Sequence, residues 1–448
     1  MDLYRGLFAR QEERTVRIVI ISDAATPGGA TSATVWLAEG LTRLGQDVTW
    51  IGPVEDTEVR AWKMQLLRPT RFTPRRALRR LLPIPAREKW DRSVVRKRLH
   101  RILRDVLPDV IHVSNLHSAT WAGWSEHLLA VCRSHAPTVW TLHDAWSFTG
   151  RCVYFFDCRK FLTGCDQTCP TPNDYPVLAP DRIAGAWDSK RRLLTELSDL
   201  VAVTPSAWLA REAEAGSWRN HRIEVISNAV PLEKYYPIDR GAAREALGIK
   251  NGGTVLLAAA HNFEDPRVGG GLLVEALKAV SAGPITVMTM GRGSLRFEID
   301  GVTHHPLGYV KDEQTKMHAF NAADLFVSSA PVGNQPLVCL ESIACGTPVV
   351  ALGVGGLSEI VRSGKTGWLA ASASPISLAR VLEEAIAELG RGTNLRESCR
   401  RVAETEYCPE THAARYLELY AELSERRTES QRHSVTGNEL SGERIRSV

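Results

Sequence analysis

Residues 322–364, AADLFVSSAPVGNQPLVCLESIACGTPVVALGVGGLSEIVRSG, constrain the fold most. Leu325-Phe326-Val327 is a short apolar run suited to a buried strand. Gly333-Asn334-Gln335 breaks that pattern, and Pro336 suits a first helical turn, where its missing N–H leaves nothing unsatisfied. Leu337, Leu340, Ile343 and Ala344 share one helical face, and Gly346 ends the helix. Pro348 to Leu352 reads as the next buried strand, followed by Gly353, Gly355 and Gly356, with Glu359 just inside another helix. Such a βαβα unit gathers its loops at the carboxyl ends of parallel strands, the edge where open α/β sheets bind ligands. A helix start there offers free N–H groups and a positive dipole end to an anion. Glu341, about one and a half turns in, can accept hydrogen bonds from a ribose or simply stand in solvent.

The amino-terminal part follows the same logic. Thr15 to Ser22 predicts a strand, Asp23 to Thr31 a turn of small residues, Ser32 to Leu44 a helix and Val48 to Ile51 a second strand. This order opens a doubly wound sheet. Gly28-Gly29 either lets backbone approach a ligand or makes a tight turn only. Strands are expected at Asp109–Val113, Thr138–Leu142, Leu200–Val203 and Ile223–Ile226, with a helix at Trp187–Leu197. His143 follows a strand at its carboxyl end, a position that faces the cleft unless the ring is structural. A linker near Asn228–Pro237 precedes a second set of elements. These are a strand at Thr254–Ala260, a helix at Leu272–Val280, strands at Pro284–Met290 and Gly308–Val310, and a last amphipathic helix at Thr411–Leu423. A chain of 448 residues suits two cores rather than one.

Two segments carry a family resemblance: PLVCLESIACGTPVVALGVGGLSEIV, beginning at Pro336, and TLHDAWSFTG, beginning at Thr141. They resemble the donor-site signature and the T-x-H-D-x-W segment of family 4 glycosyltransferases of the GT-B type, over about residues 15–423. The resemblance implies an α/β protein of two Rossmann-like doubly wound domains facing a cleft. Residues 15–227 would form the acceptor side, 228–237 the linker, 238–407 the nucleotide-sugar side, and 408–423 a helix crossing back to the first domain. It implies transfer of a sugar from a nucleotide-sugar to a hydroxyl of a glycan or lipid-linked acceptor, with retention and without a bound divalent ion. Glu341 would hold the ribose; Gly28, Gly29, Asn334, Gln335, Pro336, Leu337, Gly355 and Gly356 would line the diphosphate and sugar. His143 would sit between donor sugar and acceptor, and Asp144 would orient the loop or the imidazole. Three positions depart from the family pattern. Gly333 occupies the first acidic slot, and Asn262 and Val268 occupy the slots of the two cations that neutralise the diphosphate. Arg267 is the adjacent cation that can substitute. These departures keep open a binding or regulatory protein on a GT-B scaffold; a sugar-phosphate enzyme such as a synthase or epimerase is a further alternative.

Residues 68–104 hold fourteen basic residues against Glu88 and Asp91, a local charge of +12, while the whole chain carries only +4. The small total excludes a nucleic-acid binder by net charge, and no aromatic stacking platform is interleaved with the basic run. The segment is either a solvated face or a contact for an anionic membrane surface. Four of the nine cysteines, Cys152, Cys158, Cys165 and Cys169, fall in an insert at 150–172. Clustered thiols in a reducing compartment suggest a structural zinc site or ordinary free thiols. A similar Cys-rich insert marks a bacterial surface-polysaccharide subgroup of the family. No apolar window is long enough to span a bilayer, and the amino end lacks a secretory apolar core. The expected location is the cytoplasm, peripheral on the inner face of the membrane if the basic segment binds lipid. Residues 424–448 are polar enough to predict a disordered tail.

Overall fold

The computed structural model describes residues 15–23, 28–53, 63–67, 82–117, 123–171, 173–250, 252–293 and 295–443. Residues 68–81 of the basic segment, and the expectations placed on them, lie outside the described residues.

Strands β1 (Arg17–Ser22), β2 (Asp47–Gly52), β3 (Lys63–Leu66), β4 (Val110–Asn115), β5 (Thr138–Thr141), β6 (Val201–Thr204) and β7 (Ile223–Val225) form one sheet in the order β3-β2-β1-β4-β5-β6-β7. All its pairings are parallel. Such strands are apolar on both faces because helices cover both. In β1, Val19 and Ile21 pack toward Val95, Leu99 and Leu103 of the helix Ile84–Val106. Ile18 and Ile20 point the other way, toward Leu37 and Leu41 of the helix Gly29–Arg43.

The second sheet contains β8 (Thr254–Asn262), β9 (Ile285–Arg292), β10 (Val302–Gly308), β11 (Leu325–Ser328), β12 (Val349–Leu352) and β13 (Gly367–Ala370), in the order β10-β9-β8-β11-β12-β13, again parallel. Strand order reverses beside β1 and beside β8, which sets a crevice at the carboxyl edge of each sheet. The strand expected at Gly308–Val310 is instead β10, ending at Gly308. Its His304, His305 and Pro306 hide the apolar pattern, and an edge strand tolerates the proline.

The helix Pro409–Glu443 returns to the first sheet. Its Ala413, Tyr416, Leu419 and Tyr420 are buried against β1, β2, β4, β5 and β6. Tyr416 Oη pairs with Thr141 Oγ1 at 2.9 Å, and Tyr420 Oη with His112 Nδ1. The helix continues to Glu443, through residues whose composition predicts disorder, and Arg427 donates to the carbonyl of His135.

Candidate functional site

A cavity of about 460 Å3 opens between the carboxyl edges of the two sheets. Gly29, His143 and Tyr154 line it from the first sheet's side; Arg267, Val268 and residues 327–330 and 332–338 line it from the second. His143 stands just past β5, as the sequence predicts. Its Nε2 lies 3.0 Å from Ser114 Oγ, itself hydrogen-bonded to Thr34 Oγ1. Burial lowers the imidazole pKa to about 4, against the pull of Asp144, so the ring is neutral near pH 7.

Asp144 hydrogen-bonds to its own loop and to His117. Its Oδ1 accepts from the Trp146 N–H at 2.9 Å, and its Oδ2 pairs with His117 Nε2 at 3.0 Å. Burial pushes this carboxyl up, but His117 and the Trp146 N–H outweigh it and hold the pKa below the usual value. Asp144 therefore caps the short turn Ala145–Ser147, which positions the segment after His143.

Residues 333–337 reach the cavity, but their side chains divide the work. Asn334 Nδ2 donates to the His143 carbonyl at 2.9 Å, and its Oδ1 accepts from Ser206 Oγ. Gln335 Oε1 accepts from the Asn228 N–H at 2.6 Å. Both side chains are spent on holding the two halves together, which leaves backbone for a ligand. Pro336 caps the helix Leu337–Ala344, whose first N–H groups are open at the cavity. Gly355 and Gly356 do not line it; they buttress it. A Cβ at Gly355 would meet Gly333 O at 1.9 Å, and one at Gly356 would meet Asn334 O at 2.1 Å. Gly28 is the cap residue before the helix Gly29–Arg43, and Gly29 alone of the pair lines the cavity.

Glu341 stands one turn beyond Leu337, outside the cavity lining and hydrogen-bonded to Tyr235. Burial raises its pKa to about 7, opposed by Lys316 and by the Tyr235 hydroxyl. Arg267 lines the cavity from the short turn Pro266–Val268, but Asp265 Oδ1 holds its Nε at 2.9 Å. Its charge is therefore already paired with a carboxylate before any ligand arrives. Val268 and Gly333 also line the cavity, whereas Asn262 ends β8 and accepts from the Glu264 N–H.

Residues 27–234 match the sequence profile described as Glycosyltransferase Family 4, and residues 254–388 match that described as Glycosyl transferases group 1. WcaC of Escherichia coli (strain K12), named as a colanic acid biosynthesis glycosyl transferase, is 30% identical over 332 residues, covering 72% of this chain and 78% of its own. The chain belongs to the family 4 glycosyltransferases. A D-inositol 3-phosphate glycosyltransferase of Rhodococcus jostii is 28% identical over 64% of this chain and 62% of its own. Sucrose-phosphate synthase of Thermosynechococcus elongatus matches in fold with a TM-score of 0.65 at 19% identity, covering 92% of this chain and 99% of that one. Anabaena HepE in complex with UDP-glucose matches with a TM-score of 0.61 at 17% identity, covering 91% and 100%. These two likenesses establish the GT-B fold.

Two contributions to this glycosyltransferase's cleft escape sequence reasoning. Tyr154 lines the cavity from the Cys-rich insert, its hydroxyl pKa raised to about 12 by burial. Glu359 of the second half accepts from the Ala207 and Trp208 N–H groups at 2.9 and 2.8 Å, which caps a helix of the first half. Neither partner is near the other in sequence, so no local pattern announces them.

The zinc expectation finds no support in the fold. Among the described residues no group of three or more His, Cys, Asp and Glu is arranged to hold a metal ion. Cys152, Cys158, Cys165 and Cys169 are free thiols, and Cys165 Sγ accepts from the Gly150 N–H at 3.2 Å. Burial raises the Cys152 thiol to about 11, so it stays protonated. Aromatic packing of Phe148, Phe155, Phe161 and Trp208 holds the insert instead.

Proposed function

We propose that the protein moves a sugar from a nucleotide-sugar, bound by the second domain, to a hydroxyl of a glycan or lipid-linked acceptor held against the first, with retention. The observation that carries this reading is the shared cavity, where His143 of one sheet meets the helix start at Pro336–Leu337 of the other. The helix N-terminus suits a diphosphate, as does the nearby Arg267. The neutral imidazole of His143 can exchange hydrogen bonds with a sugar hydroxyl at no desolvation cost for a charge. Glu341, beyond Leu337, suits the ribose. Donors fixed in advance around the leaving diphosphate stabilise developing charge. HepE is described with UDP-glucose and WcaC is named for colanic acid biosynthesis, which supports a nucleotide-sugar donor and a surface-polysaccharide product. No helix of the described residues is long and apolar enough to cross a membrane. The exposed basic face of the helix Ile84–Val106 suits contact with an anionic inner-leaflet surface.

Val268 and Gly333 favour a second reading, a binding-only protein on the same scaffold. Release of nucleoside diphosphate from a panel of nucleotide-sugars, with and without cell-derived glycolipid acceptors, separates the two. Acceptor-dependent release supports transfer; nucleotide binding without release from any donor supports the scaffold.

A further inference from the structure

The hydroxyl chain behind His143 fixes which nitrogen of its ring carries the proton. Thr34 stands on the helix Gly29–Arg43, Ser114 on β4 and His143 just past β5. The three meet because β4 pairs with β5 on one side and with β1 on the other, and the helix follows β1. Thr34 Oγ1 donates to the Ala30 carbonyl at 2.7 Å, one turn back along its own helix. A hydroxyl has a single proton, so Thr34 can only accept in its contact with Ser114. The Ser114 proton is therefore committed to Thr34, and Ser114 Oγ can only accept from His143 Nε2, 3.0 Å away. In the neutral ring Nε2 thus carries the proton, and Nδ1 keeps its lone pair. Thr34 and Ser114 are each 2% exposed, so water does not compete for these contacts.

No carboxylate claims the ring. Asp144 spends one oxygen on the Trp146 N–H and the other on His117. Among the described residues His143 Nδ1 has no hydrogen-bond partner. The backbone of His143 is fixed from the other half of the molecule, where Asn334 Nδ2 donates to its carbonyl at 2.9 Å. His143 lines the cleft cavity, whereas Thr34 and Ser114 stand behind it and are not among the lining residues.

We propose that Thr34 and Ser114 are positioning residues of the transfer site: their hydroxyl relay holds the His143 proton on Nε2, so that the imidazole meets substrate as an acceptor, at Nδ1, and takes a hydroxyl there. The inference rests on the glycosyl-transfer reading and deepens it by naming what sets the state of the ring. Thr34→Val keeps the shape of the side chain and removes the hydroxyl. The Ser114 proton then turns to Nε2, the ring proton moves to Nδ1, and a substrate hydroxyl loses its acceptor. Thr34→Ser keeps the hydroxyl and with it the relay. Ser114→Ala removes the partner of Nε2, and both tautomers become populated.

The test is nitrogen-15 spectroscopy of the full-length protein labelled at histidine, at neutral pH, with the His143 signals assigned as those lost in His143→Ala. The parent protein and Thr34→Ser are expected to show a protonated Nε2 and an unprotonated Nδ1. Thr34→Val should show the reverse, and Ser114→Ala a mixture. Acceptor-dependent release of nucleoside diphosphate should fall at least about tenfold in Thr34→Val and Ser114→Ala, the loss of one buried hydrogen bond, and be kept in Thr34→Ser. Nucleotide affinity should be unchanged in all three. A protonated Nδ1 in the parent protein, or a tautomer unchanged in both Thr34→Val and Ser114→Ala, overturns the relay. Release lost without a change of tautomer also overturns it, since that is the mark of a merely structural role. The spectrum needs no turnover, which keeps the two readings apart. A parent protein with the expected tautomer and no acceptor-dependent release sinks the transfer reading, whereas release with the opposite tautomer sinks only the relay.

Discussion

His143 and Glu341 carry opposite electrostatic burdens, and each predicts a different pH signature. Glu341 is held up at about pH 7 by burial, so a ribose that favours the carboxylate must displace a proton. Nucleotide affinity is expected to rise between pH 6 and pH 8, with proton release at the lower end, as read by calorimetry in buffers of different ionisation enthalpy. Glu341→Gln should remove the pH dependence, and Glu341→Ala should weaken nucleotide binding by roughly 10- to 150-fold. A pH-independent affinity in the parent protein would separate Glu341 from the ribose. Both positions are legible in the sequence, because His143 stands just past a strand and Glu341 inside a helix whose apolar patterns are clear. The role of Asp144 is not legible: its partner His117 is 27 positions away, and only the sheet brings them together.

At the scale of elements, the glycine pair after β12 is a packing device for the loop before the helix Leu337–Ala344. Gly355 has φ +56°, and any side chain there meets Gly333 O. Gly355→Ala is expected to displace residues 333–334 and so to weaken nucleotide binding, although residue 355 is not among those lining the cavity. Unchanged affinity by thermal-shift titration would contradict this. The crossing helix makes a second element-scale prediction. Its buried packing ends near Leu423, so truncation after residue 430 should lower the unfolding midpoint little, while truncation after residue 408 should abolish soluble protein. Tyr420→Phe, which leaves His112 Nδ1 without its hydroxyl partner, should cost about 1–3 kcal/mol by denaturant unfolding. The apolar runs of β1, β8, β11 and β12 announce themselves in the sequence because both faces are covered. By contrast, the edge strand β10 hides behind two histidines and a proline.

Across the whole molecule, the desolvated imidazoles of His112, His143 and His412 set the response to acid. Burial lowers the pKa of His112 to about 3, and those of His143 and His412 to about 4. In the unfolded chain each returns to 6.5 and binds a proton that the folded state refuses. Stability from this source is therefore present above pH 6.5 and lost as pH falls toward 4. Glu341 works in the opposite sense between 4.5 and about 7, because its folded pKa is raised. Unfolding at pH 5 is expected to take up about two protons net, measured from the slope of unfolding free energy against pH. The two halves are joined by Ser206–Asn334, Asn228–Gln335 and the Glu359 cap on Ala207 and Trp208. The sequence places Ser206 and Glu359 at helix starts, Asn228 in the linker and Asn334 and Gln335 in the donor lining, and only the folded arrangement shows them as a clasp. The basic helix face belongs to this scale too: the protein should sediment with anionic vesicles at low salt and release at high salt. Equal binding to neutral vesicles would contradict an electrostatic contact.

The central claim is that the cavity between the sheets is a sugar-transfer site, with nucleotide on one side and His143 at the reacting face. The most direct measurement compares the parent protein with His143→Ala for nucleotide affinity and for acceptor-dependent release of nucleoside diphosphate in the same preparation. With the imidazole proposed to act near the reacting carbon and away from the nucleotide, nucleotide affinity is expected to be equal in both, and release to fall by roughly 100-fold or more in the variant. Equal release by both proteins, or weakened nucleotide binding in the variant with the turnover of bound donor unchanged, would contradict it.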